Sequence, residues 1–579
     1  MQKKGIRIIV SALITAVAAA LYFYVALPAL NPQSEGFWTF ITLIAICFGA
    51  VYLFLSARAG YVNLKKGINK NIFKFESGPV IKVVAALAIL PIAVIIVGGI
   101  VSSTFFNALA YSDIIEVPEA VFEEDMPETD VVSNIALMDT STAQKLGDRT
   151  LGALSHVVSQ YQISSNYKQI NYQRTPQKIS NLEYADFFKW LANKDKGIPG
   201  YVMVDPVNVT DAKYIEFSTP IKYAESAFFG EDLHRALRMR YPTKIFGSFS
   251  FEIDDEGNPY YIVSCMKPKV MLFGAPDVEE VIVFNPIDGS HELYALGDVP
   301  SWVDNVFTGS LASQKYDWFG TLKNGFWNSV IGNKDCKVTT DDFGYIVIGD
   351  DVWFFTGVTS VTSDESNIGF IISNARTGEY KFYSVIGAEE YSAMAAAEGE
   401  VQEKRYVASF PSLINVAGEA TYIMVLKDDA GLVKLYALVN VEKYTIVATG
   451  ESQTEAKRAY IEKLKKDGNI NVENTPSTDL PNAAITVEDI RIVTVGGESV
   501  VYIGASDGNL YKKSIADDES VMLIEAGDEL TAYYSMTDIE KIREISKWYF
   551  KGEEPAEEPE ENTENTENNE NNENDNGGQ

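Results

Sequence analysis

At 579 residues with 80 acidic against 48 basic side chains, the chain is too long for one core, and about 150 residues per domain predicts three to four domains. A net charge of −32 excludes a nucleic-acid partner, since such binding rests on Lys and Arg neutralising phosphates. Three cysteines, Cys47, Cys265 and Cys336, exclude a disulfide scaffold and a Cys-ligated zinc site, and a Cys265–Cys336 bridge would need Cα atoms about 6 Å apart.

Three apolar runs open the chain: Ile8 to Leu30, Phe37 to Ala57 and Pro79 to Leu109. Each can cross a hydrocarbon core of about 30 Å, which takes about 20 helical residues. The first run also exceeds the apolar stretch of a signal peptide, about 7 to 15 residues. Lys3, Lys4 and Arg7 precede the first run, and Arg58, Lys65, Lys66, Lys70 and Lys74 lie between the second and third, whereas the Asn31 to Gly36 connection has no Lys or Arg. The positive-inside rule then puts the N-terminus and the second loop in the cytoplasm and everything after Tyr111 outside. The middles of the runs carry no ionisable residue, so they read as a three-helix anchor (1–110) and not as an ion path. Pro91 and Gly98-Gly99 suit a kink or a close helix contact, which leaves a membrane oligomer open.

Residues 111–130 read as an extended acidic connector holding the rest off the membrane. Residues 131–200 are mixed, with a helix over Thr142 to Gln160 and half-exposed strands in QYQISSNYKQINYQRTPQ. FSFEIDDEGNPYYIV, Phe249 to Val263, then returns as FPSLINVAGEATYIM, Phe410 to Met424, with Phe, Ile, Gly, Tyr and Ile in the same places. A segment rich in helix formers precedes each copy and a run of strands follows, predicting two tandem units of helix plus four-stranded antiparallel meander, 201–300 and 342–450. Gly257 and Gly418 mark equivalent turns requiring positive φ. A second shared hairpin aligns Asn285 with Asn374, Gly289 with Gly378 and Tyr294 with Tyr383. Residues 301–341 form an aromatic-rich helical insert.

Helix, strands broken by Gly turns and a closing strand around NPIDG resemble the PepSY domain of bacterial envelope proteins, over Tyr201 to Ala295 and Asp342 to Gly450. The first copy departs by the loop KPKVMLFGAPDVE where a tight hairpin is expected. The resemblance implies non-catalytic modules that contact peptides, proteases or other envelope proteins, and it transfers no catalytic residue. The whole layout resembles multi-pass surface proteins of Gram-positive bacteria.

Residues 451–551 read as a helix with Ala456, Tyr460 and Leu464 on one face, followed by five short strands of a small barrel, OB-like or SH3-like. Residues 552–579, rich in Asn and Glu, are expected to stay disordered. The fold class is thus a membrane-anchored α+β protein.

Chemistry is sparse. His156, His234 and His291 are isolated, and no H-E-x-x-H, G-x-S-x-G, P-loop or EF-hand pattern occurs; S-x-x-K at Ser165 to Lys168 lacks its usual partner motifs. The ring-rich YDWFGTLKNGFWNS offers Trp318, Phe319, Phe326 and Trp327 as a binding platform, against the alternative of core packing. Arg235, Arg238 and Arg240 offer an anion site, against simple pairing of Glu231 with Arg235 along a helix. Asp364 and Glu365 read as solvated turn acids, or as carboxylates for an enzyme. The expectation is a non-catalytic extracytoplasmic binding or scaffold protein of the envelope, without catalytic residue, metal or cofactor, recognising an envelope protein, peptide or cell-wall polymer. The alternatives are a wall hydrolase or peptidase, or an accessory subunit of a transport complex.

Overall fold

The computed structural model describes residues 2–65, 79–126, 129, 135–207, 212–361, 363–467, 482–495, 498–515, 518–536 and 541–551. The acidic tail and Lys66, Lys70 and Lys74 lie outside these residues. The chain divides into two compact units, Met1–Ile470 and Asn471–Gln579.

Three helices, Gln2–Ala26, Glu35–Lys65 and Pro79–Val101, are long and apolar enough to cross a membrane. The third is shorter than its apolar run, which extends to Leu109. Ser102 and Ser103 interrupt it, and a separate helix, Thr104–Ser112, follows. The interruption is where the body docks: the Ser102 hydroxyl accepts the amides of Leu272 and Phe273, both at 3.1 Å, and its carbonyl accepts the Tyr111 hydroxyl at 2.7 Å.

The body repeats one plan four times, twice more than the sequence suggested. Each unit is a helix followed by four antiparallel strands. The first has Thr140–Gly152, then Lys168–Tyr172, Thr175–Tyr184, Ile198–Val204 and Ala212–Ile221. The second has Leu233–Arg240, then Ile245–Ile253, Pro259–Val270, Gly274–Phe284 and His291–Ala295. The third has Gly309–Leu322, then Gly344–Ile348, Asp351–Ser360, Ser363–Asn374 and Tyr380–Tyr383. The fourth has Glu390–Glu400, then Ser412–Val416, Glu419–Lys427, Val433–Asn440 and Val447–Gly450. The aromatic-rich insert is therefore the helix of the third unit.

One turn signature recurs between the last two strands of every unit. Asp205, Asn285, Asn374 and Asn440 each accept a backbone amide two or three residues ahead, from Val207 at 2.8 Å, Ile287 at 2.9 Å, Arg376 at 2.9 Å and Lys443 at 2.7 Å. Short Asx side chains bond their own turn in this way, which makes them turn-formers. Gly257 and Gly418 both adopt positive φ, +83° and +81°. Where a loop was expected at KPKVMLFGAPDVE, the two long strands of the second unit pair out to Val270↔Gly274. This hairpin tip reaches the third membrane helix. A Cβ at Gly98 would lie 2.5 Å from the Phe273 ring, so any larger residue there would have to displace that ring.

The units share cores in pairs. Met138, Leu146, Ile179 and Val202 of the first pack with Leu237, Phe251 and Phe284 of the second; Phe355 and Phe370 of the third pack with Ala397, Tyr422 and Leu438's neighbour Val439 of the fourth. The acidic connector is built into this body and does not stand clear of it. Ile115 packs with Tyr316 and Phe354, Glu119–Ala120 pairs in parallel with Tyr380–Tyr383, and Phe122 enters the core shared by the third and fourth units. The helix Gln453–Asp467 buries Ala456, Tyr460 and Leu464, the face expected, against Val425 and Leu438 of the fourth sheet.

In the C-terminal unit five strands, Asn482–Val495, Glu498–Ala505, Leu510–Ser514, Glu529–Met536 and Ile542–Phe550, pair in a closed ring. A short 3-10 helix, Glu519–Leu523, lies between the third and fourth of these strands, and Ile542–Phe550 supplies the fifth.

Candidate functional site

The three arginines singled out by sequence lie on the Leu233–Arg240 helix and meet the first membrane helix. Arg235 Nε donates to the Tyr24 carbonyl at 3.1 Å, with its guanidinium 4.4 Å from the Tyr24 ring centre; Arg238 Nε donates to the Leu27 carbonyl at 3.0 Å. The last carbonyls of a helix have no partner within it and carry the negative end of its dipole, so cations are favoured there. Arg238 is buried, also donates to the Lys244 carbonyl at 2.6 Å, and is drawn down to about 10 by burial. Arg240 donates to Ala236 at 2.9 Å. All three guanidinium groups are thus engaged with backbone carbonyls.

The four aromatic candidates gather beside the exit of the third membrane helix. Trp318 packs edge-on against Tyr111 at 5.0 Å, Phe319 lies 5.9 Å from Tyr316, and Phe326 and Trp327 meet Phe105 at 5.0 and 5.8 Å. Trp318, Phe319 and Phe326 are half-buried, whereas Trp327 is 64% exposed.

A different place collects polar chemistry that the solvent can reach. A cavity of about 310 Å³ opens where the first, third and fourth units meet, lined by Asp139, Lys168, Gln169, Lys178, Asn305, Asp342, Tyr345 and Phe410 among others. Gln169 and Lys178 are cross-strand partners on the first sheet, which puts their side chains on one face. Lys178 is 7% exposed, and burial draws its ammonium down to about 8 while Asp139 opposes that shift. Burial also lowers Lys168. Asp139 is committed elsewhere: it caps the Thr140–Gly152 helix through the Thr142 amide at 2.8 Å and pairs with Lys427. Burial works against its charge, yet these partners hold it down to about 2. The Gln169 Nε2 is buried without a hydrogen-bond acceptor. The cavity is therefore bordered by the Lys178 ammonium, suited to an anionic oxygen group, with the Gln169 amide buried beside it; Lys168, the neighbour of Gln169 on its strand, lies on the opposite face, where the Glu252 and Glu225 charges oppose its shift.

Behind the cavity lies a sealed carboxyl pair. Asn305 Nδ2 donates to the Gln169 carbonyl at 3.0 Å, and the amides of Asp304 and Asn305 donate to Glu252 at 2.8 and 3.0 Å. Asp304 in turn accepts the Asn171 amide at 2.7 Å. Burial raises both carboxyls, Asp304 strongly and with the Glu252 charge adding to it. Glu252 is 0% and Asp304 2% exposed, so no solute reaches either, and they clamp the first unit to the second. Sequence gave no sign of Glu252, because it occupies the place of Leu413 in the other copy on a strand buried on both faces.

The remaining titratable candidates stand apart. The His234 ring lies 4.2 Å from that of Phe249, and His291 Nδ1 is 3.2 Å from the Gly289 carbonyl. The side chains of His156, Asp364 and Glu365 lie outside the described residues. Cys265 and Cys336 are both free and buried, and burial pushes the Cys265 thiol up to about 12. Among the described residues no group of three or more His, Cys, Asp or Glu is placed to hold a metal. No protein-family model and no curated protein matches the sequence.

Proposed function

We propose that the chain is a membrane-anchored, non-catalytic binding protein of the bacterial cell envelope, with its body outside the cytoplasm, and that it holds a carboxylate- or phosphate-bearing segment of an envelope protein, peptide or wall polymer in the cavity at Lys178. The observation that carries this reading is the Lys178 ammonium, drawn down by burial, at the wall of a cavity that solvent can enter. Burial disfavours the charged form of the Lys178 ammonium, and an anionic ligand beside it offsets that cost. The carboxyls that burial raises, Glu252, Asp304 and Glu390, are sealed from solvent, which favours binding over turnover. The loop charges support the orientation. The resemblance of Tyr201 to Ala295 and Asp342 to Gly450 to PepSY modules supports a contact role, and the C-terminal ring, read as an OB-like or SH3-like barrel, is a second platform.

A photo-reactive residue at exposed Asp342, on the cavity wall, tests the reading in the full chain within intact membranes. A discrete adduct that Lys178→Met abolishes is expected. An adduct indifferent to Lys178→Met removes the cavity from the account, and steady hydrolysis of peptidoglycan or peptides by the purified chain overturns the non-catalytic reading.

A further inference from the structure

The region beside the third membrane helix carries more exposed apolar surface than a soluble face tolerates. The helix Thr104–Ser112 starts three residues after the membrane helix ends and exposes Phe106 at 62% and Leu109 at 58%. Trp327, Val330 and Ile331, from the turn that follows the third unit's helix, are 64, 57 and 74% exposed, and Phe105 joins the two groups through its contacts with Phe326 and Trp327. A second such cluster stands at the other attachment. Phe188 and Phe229 are 75 and 56% exposed, and the Phe229 carbonyl accepts Arg235, the residue that caps the first membrane helix.

We infer that these two clusters are seated in the lipid interface of the leaflet nearest the body, so that the body rests on the bilayer surface. The inference depends on the three helices being membrane spans. Continuity selects lipid as the occupant: each cluster adjoins the end of a helix long and apolar enough to span, at the depth where Trp and other aromatic rings concentrate at the boundary between headgroups and acyl chains. Apolar patches of this kind mark membrane or protein contacts. Charge also argues for apolar seating over electrostatic adsorption, because a chain of net charge −32 is repelled by anionic headgroups.

Depth-dependent quenching tests the inference in the full chain reconstituted in phosphatidylcholine vesicles. Cys265 and Cys336 are buried, so a Cys47→Ser background directs a fluorescent label to one introduced cysteine, and the unsubstituted background supplies the blank. Ile331→Cys reports the seat, Leu432→Cys, 50% exposed on a turn of the fourth unit, reports the solvated body, and Ile92→Cys reports the third membrane helix. Lipids carrying a doxyl group high on the acyl chain should quench the Ile331→Cys label at least twofold and leave Leu432→Cys unaffected, with aqueous iodide showing the reverse, at both low and high salt. Quenching at Ile92→Cys together with iodide access and no doxyl quenching at Ile331→Cys overturns the seat while keeping the spans. Protection of Ile331→Cys from both quenchers means protein covers this face and also overturns the seat. Absence of lipid quenching at Ile92→Cys overturns the spans and the seat together.

Discussion

Glu390 is the group whose ionisation the fold resists most measurably. It opens the fourth unit's helix at 0% exposure, with Oε1 accepting the Gly357 amide at 2.6 Å and Oε2 buried without a partner. Burial pushes its carboxyl from an ordinary 4.5 up to about 7, with the Gly357 amide and Thr340 pulling the other way and Glu389 adding to the rise. Below the unfolded value both forms hold the proton and nothing is lost. Between the two values the unfolded chain releases its proton and the folded chain keeps it, so stability falls as pH rises, and the loss is complete above the folded value. A difference of about 2.5 in pKa at about 1.4 kcal/mol each makes a full loss of about 3 kcal/mol. Glu390→Gln keeps the acceptor for Gly357 and imitates the protonated acid, so it removes the titration. Urea unfolding of the full chain in detergent at pH 5 and pH 8 should find the variant close to wild type at pH 5 and more stable by about 2–3 kcal/mol at pH 8. Other groups titrate equally in both proteins and cancel. An identical change from pH 5 to pH 8 in wild type and variant would refute an uncharged Glu390 in the folded state.

Gly257→Val and Gly418→Val should each destabilise by about 1 kcal/mol or more. A Cβ at Gly257 meets nothing nearer than 3.6 Å and one at Gly418 meets nothing within 4 Å, so the cost lies in the backbone; Asn at either site should cost less, and equal costs for Val and Asn in thermal unfolding would reject the turn conformation. Arg238→Lys should lose the forked contacts to Leu27 and Lys244 and destabilise the docking of body on helix by about 2–4 kcal/mol, read as faster proteolysis of the body at unchanged membrane extraction; wild-type resistance would show that the contact contributes nothing.

The membrane helices were legible because twenty apolar residues have few other readings, and the second and fourth units because glycine marks their first hairpins. The first unit escaped notice because its equivalent turn is Gln173-Arg174, both at positive φ without glycine. The third was split, since its helix is aromatic and its strands fall inside the stretch assigned to the fourth. The Arg235–Arg240 cluster was visible, but its partner was not: Arg238 meets a carbonyl 211 residues away. The cavity draws on positions from 136 to 412, each unremarkable in its own segment.

Both attachments to the membrane helices belong to the second unit. Its helix holds the first span through Arg235 and Arg238, and its long hairpin holds the third through Leu272 and Phe273. One small sheet is therefore a strut between two spans. Any change in the distance or tilt between those spans must bend that strut or detach one of its ends, and because Asn305 beside the cavity bonds both Glu252 of the same sheet and the Gln169 carbonyl, each at 3.0 Å, hydrogen bonds join the strut to the cavity wall. The anchor and the cavity are in this sense one lever with its fulcrum at the second unit.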